Sequence, residues 1–262
     1  MKGRAARLRR AFAAAVSSGA LAAAVLAAAQ GGGEARPGTD AGAESPRALL
    51  ERVEGLKAAI RDRPKTPDIL LALGNLYLQN GRPLDAIDWY RQALEQAAPA
   101  LARLDALAAA RSGRPSARAR EACDRTTAKR SYGALVAAAE RARRAGASSD
   151  EAYCLAAAVA PALEAQARRG DAFVLAGNPD QALADARAVL AREPDHAGAL
   201  FLSGALLAAG AAGDPAKRAA AADAWRRLLR AHPDDPRAPR VREELGALEG
   251  RAARTGATPD AR

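Results

Sequence analysis

Apolar side chains recur at helical spacing along this chain, and the plainest examples lie near its two ends. Leu49, Val53 and Ile60 belong to one such series, which stops before Pro64, and residues 239–249 form a second, short amphipathic series. Most of the remaining apolar content is alanine, the best helix former and a poor strand former. Aromatic residues make up only 3% of the chain, so its core must form where backbones approach closely. Helices that meet through small residues can do this, and we therefore predict an all-α protein.

Five glycines recur at nearly constant intervals and predict the turns of a repeated unit. Their spacings are 32, 33, 31 and 33 residues, and the glycines are Gly81, Gly113, Gly146, Gly177 and Gly210. The sequence Gly113-Arg114-Pro115 also repeats Gly81-Arg82-Pro83. A fixed period in this range is the signature of a repeat protein. The alternative is an ordinary helical bundle in which the glycine spacing is accidental.

Residues 67–100 resemble the tetratricopeptide repeat, a helical hairpin of about 34 residues. The positions that match the two helices of the family are Leu70, Leu73, Gly74, Tyr77, Ala86, Tyr90 and Ala93. Gly74 and Ala86 are small where two helices cross closely, and Tyr90 fills the space beside them. Two further matches cover residues 163–194 and 197–233, and the last has about five extra residues in its turn.

The resemblance implies a right-handed superhelical stack of about five tetratricopeptide-like hairpins over residues 47–249. Residues 101–162 read as two degenerate hairpins, because Arg118 and Arg125 replace the small residues expected in a second helix. The helices predicted before the first repeat and after the last are caps, which a stack of repeats needs at its ends. Residues 250–262 are predicted to be a disordered tail.

The first 29 residues have the layout of an export signal. A basic segment precedes the uncharged stretch 11–29, which ends in Ala27-Ala28-Ala29 before Gln30. We predict a cleaved signal peptide, with a retained N-terminal membrane anchor and an unexported chain as alternatives. Residues 30–46, rich in glycine and short polar residues, form a predicted flexible linker. The expected location is the periplasm or cell surface, with anchoring in the inner membrane through residues 11–29 if the segment is retained.

The net charge of +10 is concentrated in two places. Five basic residues lie in the first ten, and the band from Arg111 to Arg144 contains ten basic residues against three acidic ones. The band is either an arginine-rich solvated surface or a surface for an acidic partner or anionic polymer. Nucleic acid is not an expected partner, because neither aromatic interleaving nor a recognition motif accompanies the band.

No nucleophile elbow, phosphate loop or paired-histidine metal motif is present, so we expect no catalysis, cofactor or metal. The two histidines lie beside repeat boundaries and read as turn residues. Cys123 and Cys154 are the one unusual pair. They are expected to form a structural disulfide, to be two buried thiols or to be a redox pair. The CxxC spacing of redox enzymes is absent.

In the family that the chain resembles, the first helices line a concave groove that takes up a partner segment. The positions of this sequence that the resemblance places in the groove are Asp68, Leu71, Asn75, Leu78, Gln79, Glu164, Ala167, Asp171, Val174 and Phe201. Asn75 matches one residue of the family's clamp for C-terminal carboxylates, but Leu71 stands where the clamp needs lysine. The alternative for the apolar members is packing between repeats.

The functional hypothesis is a non-catalytic adaptor of the cell envelope. It would bind a segment of an unidentified protein partner in the concave groove during assembly or maturation of an envelope complex. The alternative is an accessory substrate-binding subunit of an envelope enzyme complex.

Overall fold

The computed structural model of the chain describes residues 65–128 and 132–256, together with the isolated residues 47, 51, 54, 55 and 58. The predicted signal segment and linker lie outside the described residues, as do most of the first cap helix and residues 257–262. The side chains of residues 125–131 and 251–256 also lie outside them.

The described part of the chain is helical throughout and contains no strand, which confirms the predicted all-α class. Nine α-helices and one 3₁₀ segment, Ala108–Ser112, follow one another in it. The helices are α1 (Pro67–Gln79), α2 (Pro83–Ala106), α3 (Ala117–Ala128), α4 (Tyr132–Arg144), α5 (Ser148–Leu175), α6 (Pro179–Arg192), α7 (Ala197–Ala209), α8 (Pro215–Ala231) and α9 (Ala238–Gly256). No helix in this described part is long and apolar enough to span a membrane.

The predicted turn glycines all lie between helices or at a helix end. Gly81, Gly146 and Gly177 have φ values of 70°, 70° and 79°, in the left-handed region that favours glycine. Gly210 has a φ of −89°, and Gly213 adopts the positive φ of 75° in that turn. The five extra residues predicted there have moved the left-handed position three residues along the chain.

Two helices continue across boundaries that the repeat pattern predicts as breaks. Pro99 lies inside α2 and Pro161 lies inside α5. A proline removes one backbone hydrogen bond of a helix, but the buried face of α2 continues beyond it at Ala100, Leu101 and Leu104. The degenerate region 101–162 is therefore built from the end of α2, the 3₁₀ segment, a hairpin of α3 and α4, and the first half of α5.

The chain divides into two compact units, with the boundary between Ala172 and Phe173. We call the described residues before this boundary the N-terminal unit and those after it the C-terminal unit. One buried core in the N-terminal unit joins Leu104, Leu135, Leu155 and Val159. A core in the C-terminal unit is formed by residues of α7, α8 and α9, among them Leu200, Trp225, Leu228 and Val241.

Each unit contains a glycine that is pressed against an aromatic ring of the following helix. A methyl group on Gly74 would overlap the ring of Tyr90, and one on Gly204 would overlap the indole of Trp225. The offsets from glycine to ring are 16 and 21 residues. The difference equals the predicted five-residue insertion in the α7–α8 turn, so the longer turn leaves this contact intact.

The last helix is longer than predicted. The sequence pattern ends the cap helix at residue 249, whereas α9 continues to Gly256, so part of the predicted tail is helical. Val241 and Leu248 are buried, as expected of a helix with one apolar face.

Candidate functional site

A cleft of about 480 Å³ opens between α1, α4 and α5 of the N-terminal unit. Its lining is mostly apolar, with a few polar side chains. The residues that line it are Asp68, Leu71, Ala72, Asn75, Tyr132, Leu135, Ala157, Ala158, Ala160, Pro161 and Glu164.

The α1 wall of the cleft is one face of that helix. Asp68, Leu71, Ala72 and Asn75 are spaced by three and four residues, and such residues share a face. Leu70, Leu73 and Gly74 lie on the other side of the helix and are buried. Packing against α2 thus directs the Asp68–Asn75 face away from the core and into the cleft.

Asn75 is held in place by a buried tyrosine. The hydroxyl of Tyr90 donates a hydrogen bond to Asn75 Oδ1 at 2.8 Å. Burial raises the pKa of Tyr90 well above its ordinary value, so the phenol remains protonated and keeps donating. The amide oxygen of Asn75 is thereby engaged, and its NH₂ group is the donor that it can offer to the cleft.

The walls from α4 and α5 combine one aromatic ring with small residues. Tyr132 donates its hydroxyl to the carbonyl oxygen of Gln96 at 3.3 Å, and burial raises its pKa. Leu135 is 3% exposed and forms the floor beside it. On α5 the wall is formed by short side chains that leave the cleft open: Ala157, Ala158, Ala160 and Pro161.

Acidic groups mark one end of the cleft. Glu164 accepts a hydrogen bond from Arg168 at 2.8 Å, and Arg168 also pairs with Asp171 at 3.6 Å. Burial opposes the charge of Arg168, but the two carboxylates outweigh it and raise its pKa. No cation of the described residues pairs with Asp68, so the acidic side chains in and beside the cleft outnumber the one arginine that pairs with them.

Only four of the ten predicted groove residues line the cleft: Asp68, Leu71, Asn75 and Glu164. Gln79 is exposed beyond it, and Asp171 serves the ion pair with Arg168. Val174, half-buried, and Phe201 belong to the C-terminal unit.

The structure corrects the assignment of three residues to an open groove. Leu78, Ala167 and Phe201 are 6%, 3% and 6% exposed, respectively. Phe201 is covered by the guanidinium of Arg237, which lies 5.1 Å from the ring centroid. The family pattern aims these positions at a groove, but neighbouring side chains already cover them here.

Sequence reasoning missed the α4 and α5 walls of the cleft. Tyr132 and Leu135 lie in the degenerate region, where the repeat frame gives no guidance. The run of small residues from Ala156 to Ala162, interrupted by Val159, is the signal that could have indicated a close approach of helices.

The two cysteines join α3 to α5. Cys123 and Cys154 form a disulfide with their Cα atoms 5.7 Å apart. Two polar contacts accompany it: Asp150 accepts hydrogen bonds from Ser116 N and Oγ at 2.6 and 2.8 Å, and Asp124 accepts one from Tyr153 at 2.7 Å. In α3, Cys123 is the one buried residue among the side chains that the structure describes.

Comparison with known families agrees with this architecture. Residues 54–102 and 167–217 match the family model of the tetratricopeptide repeat. No curated protein matches the chain. The two matched segments contain both glycine positions, Gly74 and Gly204, whose close contacts with aromatic rings are described above. The chain therefore contains tetratricopeptide repeats in these two segments.

Proposed function

We propose that this protein is a non-catalytic adaptor that holds an apolar segment of a partner protein in the cleft between α1, α4 and α5. Tetratricopeptide repeats generally bind other proteins. We assign the binding site to this cleft because of the residues that line it. A volume of about 480 Å³ lies in the range of binding pockets, about 300–1,000 Å³. Its apolar walls carry a few fixed polar groups.

The composition of the walls indicates what the partner segment offers. Leucine-sized side chains buried against Leu71, Tyr132 and Pro161 would each gain about 1.5–3 kcal/mol from leaving water. The amide of Asn75, oriented by Tyr90, supplies a donor for a carbonyl group of the bound segment. Asp68, another lining residue, favours a cation on the partner next to it.

The proposed setting is the cell envelope, where the adaptor would act in the assembly or maturation of a complex. Two features support it: the basic, apolar and small-residue order of residues 1–29, and a disulfide, which persists in oxidising compartments. N-terminal sequencing of the natively exported protein tests this setting. A chain that starts near Gln30 supports it, and a chain starting at Met1 in the cytoplasm contradicts it.

The cleft itself is tested with a charge placed on its wall. Leu71→Glu should abolish partner binding, because the new carboxylate would have to be desolvated beneath the bound segment. Leu84→Glu is the matched control, since Leu84 is 68% exposed at the start of α2 and lies outside the cleft.

A photo-crosslinking amino acid at Ala72, with the same probe at Leu84 as the comparison, identifies what the cleft contacts in cells. A discrete protein adduct from Ala72 that is lost in Leu71→Glu, in a protein with an unchanged melting curve, is the expected result. Equal adducts from both positions, or adducts that survive Leu71→Glu, would place the binding site elsewhere.

A further inference from the structure

A cluster of arginines at one end of the α3–α4 hairpin is not used by the fold. Arg114, Arg118, Arg141 and Arg144 are exposed, and none of them forms an ion pair with another described residue. We call these four residues the basic corner. By contrast, Arg143 beside them is paired with Glu140 at 2.7 Å.

The topology of the hairpin brings the four residues together. Helices α3 and α4 pack against each other and are connected by only three residues, 129–131. The chain therefore reverses direction between them. Arg118 at the start of α3, and Arg114 three residues before that helix, lie at the level of the last turn of α4, with Arg141 and Arg144.

Four acidic residues lie closest to the basic corner along the chain, and none of them forms an ion pair with its arginines: Glu121, Asp124, Glu140 and Asp150. Glu121 has an interaction of its own. Glu140 is paired with Arg143, Asp150 accepts its hydrogen bonds from Ser116, and Asp124 accepts the hydroxyl of Tyr153. Asp150 lies beside Ser116 at this corner, and its one carboxylate offsets only part of the charge of four guanidinium groups. The corner therefore keeps an excess of positive charge, and the like charges repel each other unless an anion binds.

Helix α3, which contains Arg118 of the basic corner, is held in place by a covalent link and by polar contacts. Of the α3 side chains that the structure describes, residues 117–124, only one is buried, so burial of this part contributes little through the hydrophobic effect. Helix α3 is also held by its disulfide and by two polar contacts with α5. These three links fix the exposed, arginine-bearing surface of α3 relative to α5. A fixed array of cations loses less entropy on binding an anion than a mobile one.

We propose that the basic corner is a second docking surface, which binds a run of carboxylates on an acidic segment of a partner protein. Guanidinium groups match carboxylates in paired geometry, and no aromatic side chain that could stack on bases lies among the four arginines. Protein rather than lipid is the class favoured, because the chain carries protein-binding repeats. This last step rests on the proposed adaptor function.

One helix connects the basic corner to the cleft. Arg141 and Arg144 follow the cleft residue Leu135 on α4 by six and nine residues, or about 9 and 14 Å along the helix axis. A single partner with an apolar segment and an acidic run could therefore reach both surfaces through a spacer of at least three or four extended residues.

The test uses fluorescently labelled peptides and the full disulfide-bonded protein. An oligoglutamate peptide should bind in low salt, and oligolysine and oligoglutamine peptides of the same length should not. The affinity should fall as the ionic strength rises. Arg114→Glu combined with Arg118→Glu should weaken oligoglutamate binding on the order of tenfold.

This variant also separates lost binding from lost folding. Arg118 lies in the first turn of α3, where the helix dipole favours an acidic side chain. The melting temperature should therefore not fall. Arg187→Glu combined with Arg230→Glu is the matched control, because both residues are exposed arginines of the C-terminal unit. It should bind oligoglutamate with unchanged affinity.

Other outcomes would overturn the proposal. Equal weakening by the control pair would mean that binding follows net charge alone. Binding to phosphatidylglycerol vesicles or inorganic polyphosphate that is tighter than oligoglutamate binding would assign the surface to a membrane or a phosphate polymer. An uncharged peptide rich in leucine and alanine tests the cleft separately. Its affinity should fall in Leu71→Glu and stay unchanged in the basic-corner variant. The two peptides can therefore contradict one site without contradicting the other.

Discussion

Gly74 and Tyr90 fit together so closely that no side chain larger than hydrogen is tolerated at residue 74. A Cβ atom there would lie 2.8 Å from Tyr90 Cζ and closer still to two other ring atoms, and Tyr90 is fully buried. The ring cannot move aside, because its hydroxyl is bonded to Asn75 in the next position of α1. This pair therefore sets the distance between α1 and α2 and, through Asn75, the polar group on the cleft wall.

Gly74→Ala should destabilise the protein by about 1–3 kcal/mol through overpacking. Gly246→Ala is the matched control, since Gly246 is exposed inside α9 and a Cβ there meets no atom. The control should raise stability by about 0.5–1 kcal/mol, because alanine favours a helix. Urea unfolding of both variants measures the contrast, and equal effects would contradict the close contact.

Trp225 lacks the hydrogen bond that Tyr90 has. Its indole Nε1 is buried and has no partner among the described residues. The residue after Gly74 is Asn75, whereas the residue after Gly204 is Ala205, which offers no acceptor. We expect Ala205→Asn to supply one, with a favourable coupling of about 1 kcal/mol between the introduced amide oxygen and the indole. A double-mutant cycle with Trp225→Phe measures it, and a coupling of zero would show that the side chains do not meet.

Reduction of the disulfide should release α3 first. The link spans 31 residues and is worth about 3–4 kcal/mol in the chain-entropy model. Since Cys123 is the one buried side chain described in α3, hydrogen exchange of α3 should accelerate in reductant while α7 and α8 keep their protection. Cys123→Ser combined with Cys154→Ser should exchange rapidly with or without reductant. Uniform acceleration along the chain would contradict a local role.

The ion pair between Asp235 and Arg237, in the turn before α9, should make the free energy of unfolding depend on pH. Arg237 donates two side-chain hydrogen bonds to Asp235, at 2.8 and 2.6 Å, and holds the pKa of Asp235 below its ordinary value. A depressed pKa contributes stability that is complete above the unfolded value of about 3.9 and is lost as the pH falls through the folded value. Asp235→Asn should cost about 1 kcal/mol near pH 7 and much less at pH values below the folded pKa. Melting curves across this range test it, and a constant difference would refute the linkage.

The sequence predicts the fold where the repeat signal is carried by unusual residues. A glycine inside a helix is destabilising and is therefore expected mainly where another group approaches closely. This makes two close contacts identifiable from the sequence: Gly74 with Tyr90 and Gly204 with Trp225. The fusion of helices through Pro99 and Pro161 is not predictable in this way, because proline usually ends a helix. It persists here because the buried face continues on both sides of the proline.

The cleft is only partly predictable for a related reason. The repeat frame aims Asp68, Leu71 and Asn75 away from α2, and these three residues line the cleft. It cannot report which neighbouring helix covers a position, so it assigns Leu78 to the groove although this side chain is buried. The opposite wall comes from a region where the repeat pattern has degenerated. Its alanines can indicate a close approach of helices, but they do not indicate which residues face the cleft.

The enlarged turn between α7 and α8 has a practical consequence for protein engineering. The turn is five residues longer than the one between α1 and α2, judged by the glycine-to-ring offsets, yet Gly204 and Trp225 keep their contact, and Ala212 and Gly213 at its tip are exposed. A turn that can differ in length in this way is a permissive site for a genetically encoded epitope or fluorophore-binding tag. A tag inserted between Ala212 and Gly213 would report on the protein in living cells while leaving the cleft and the basic corner, both in the other unit, untouched.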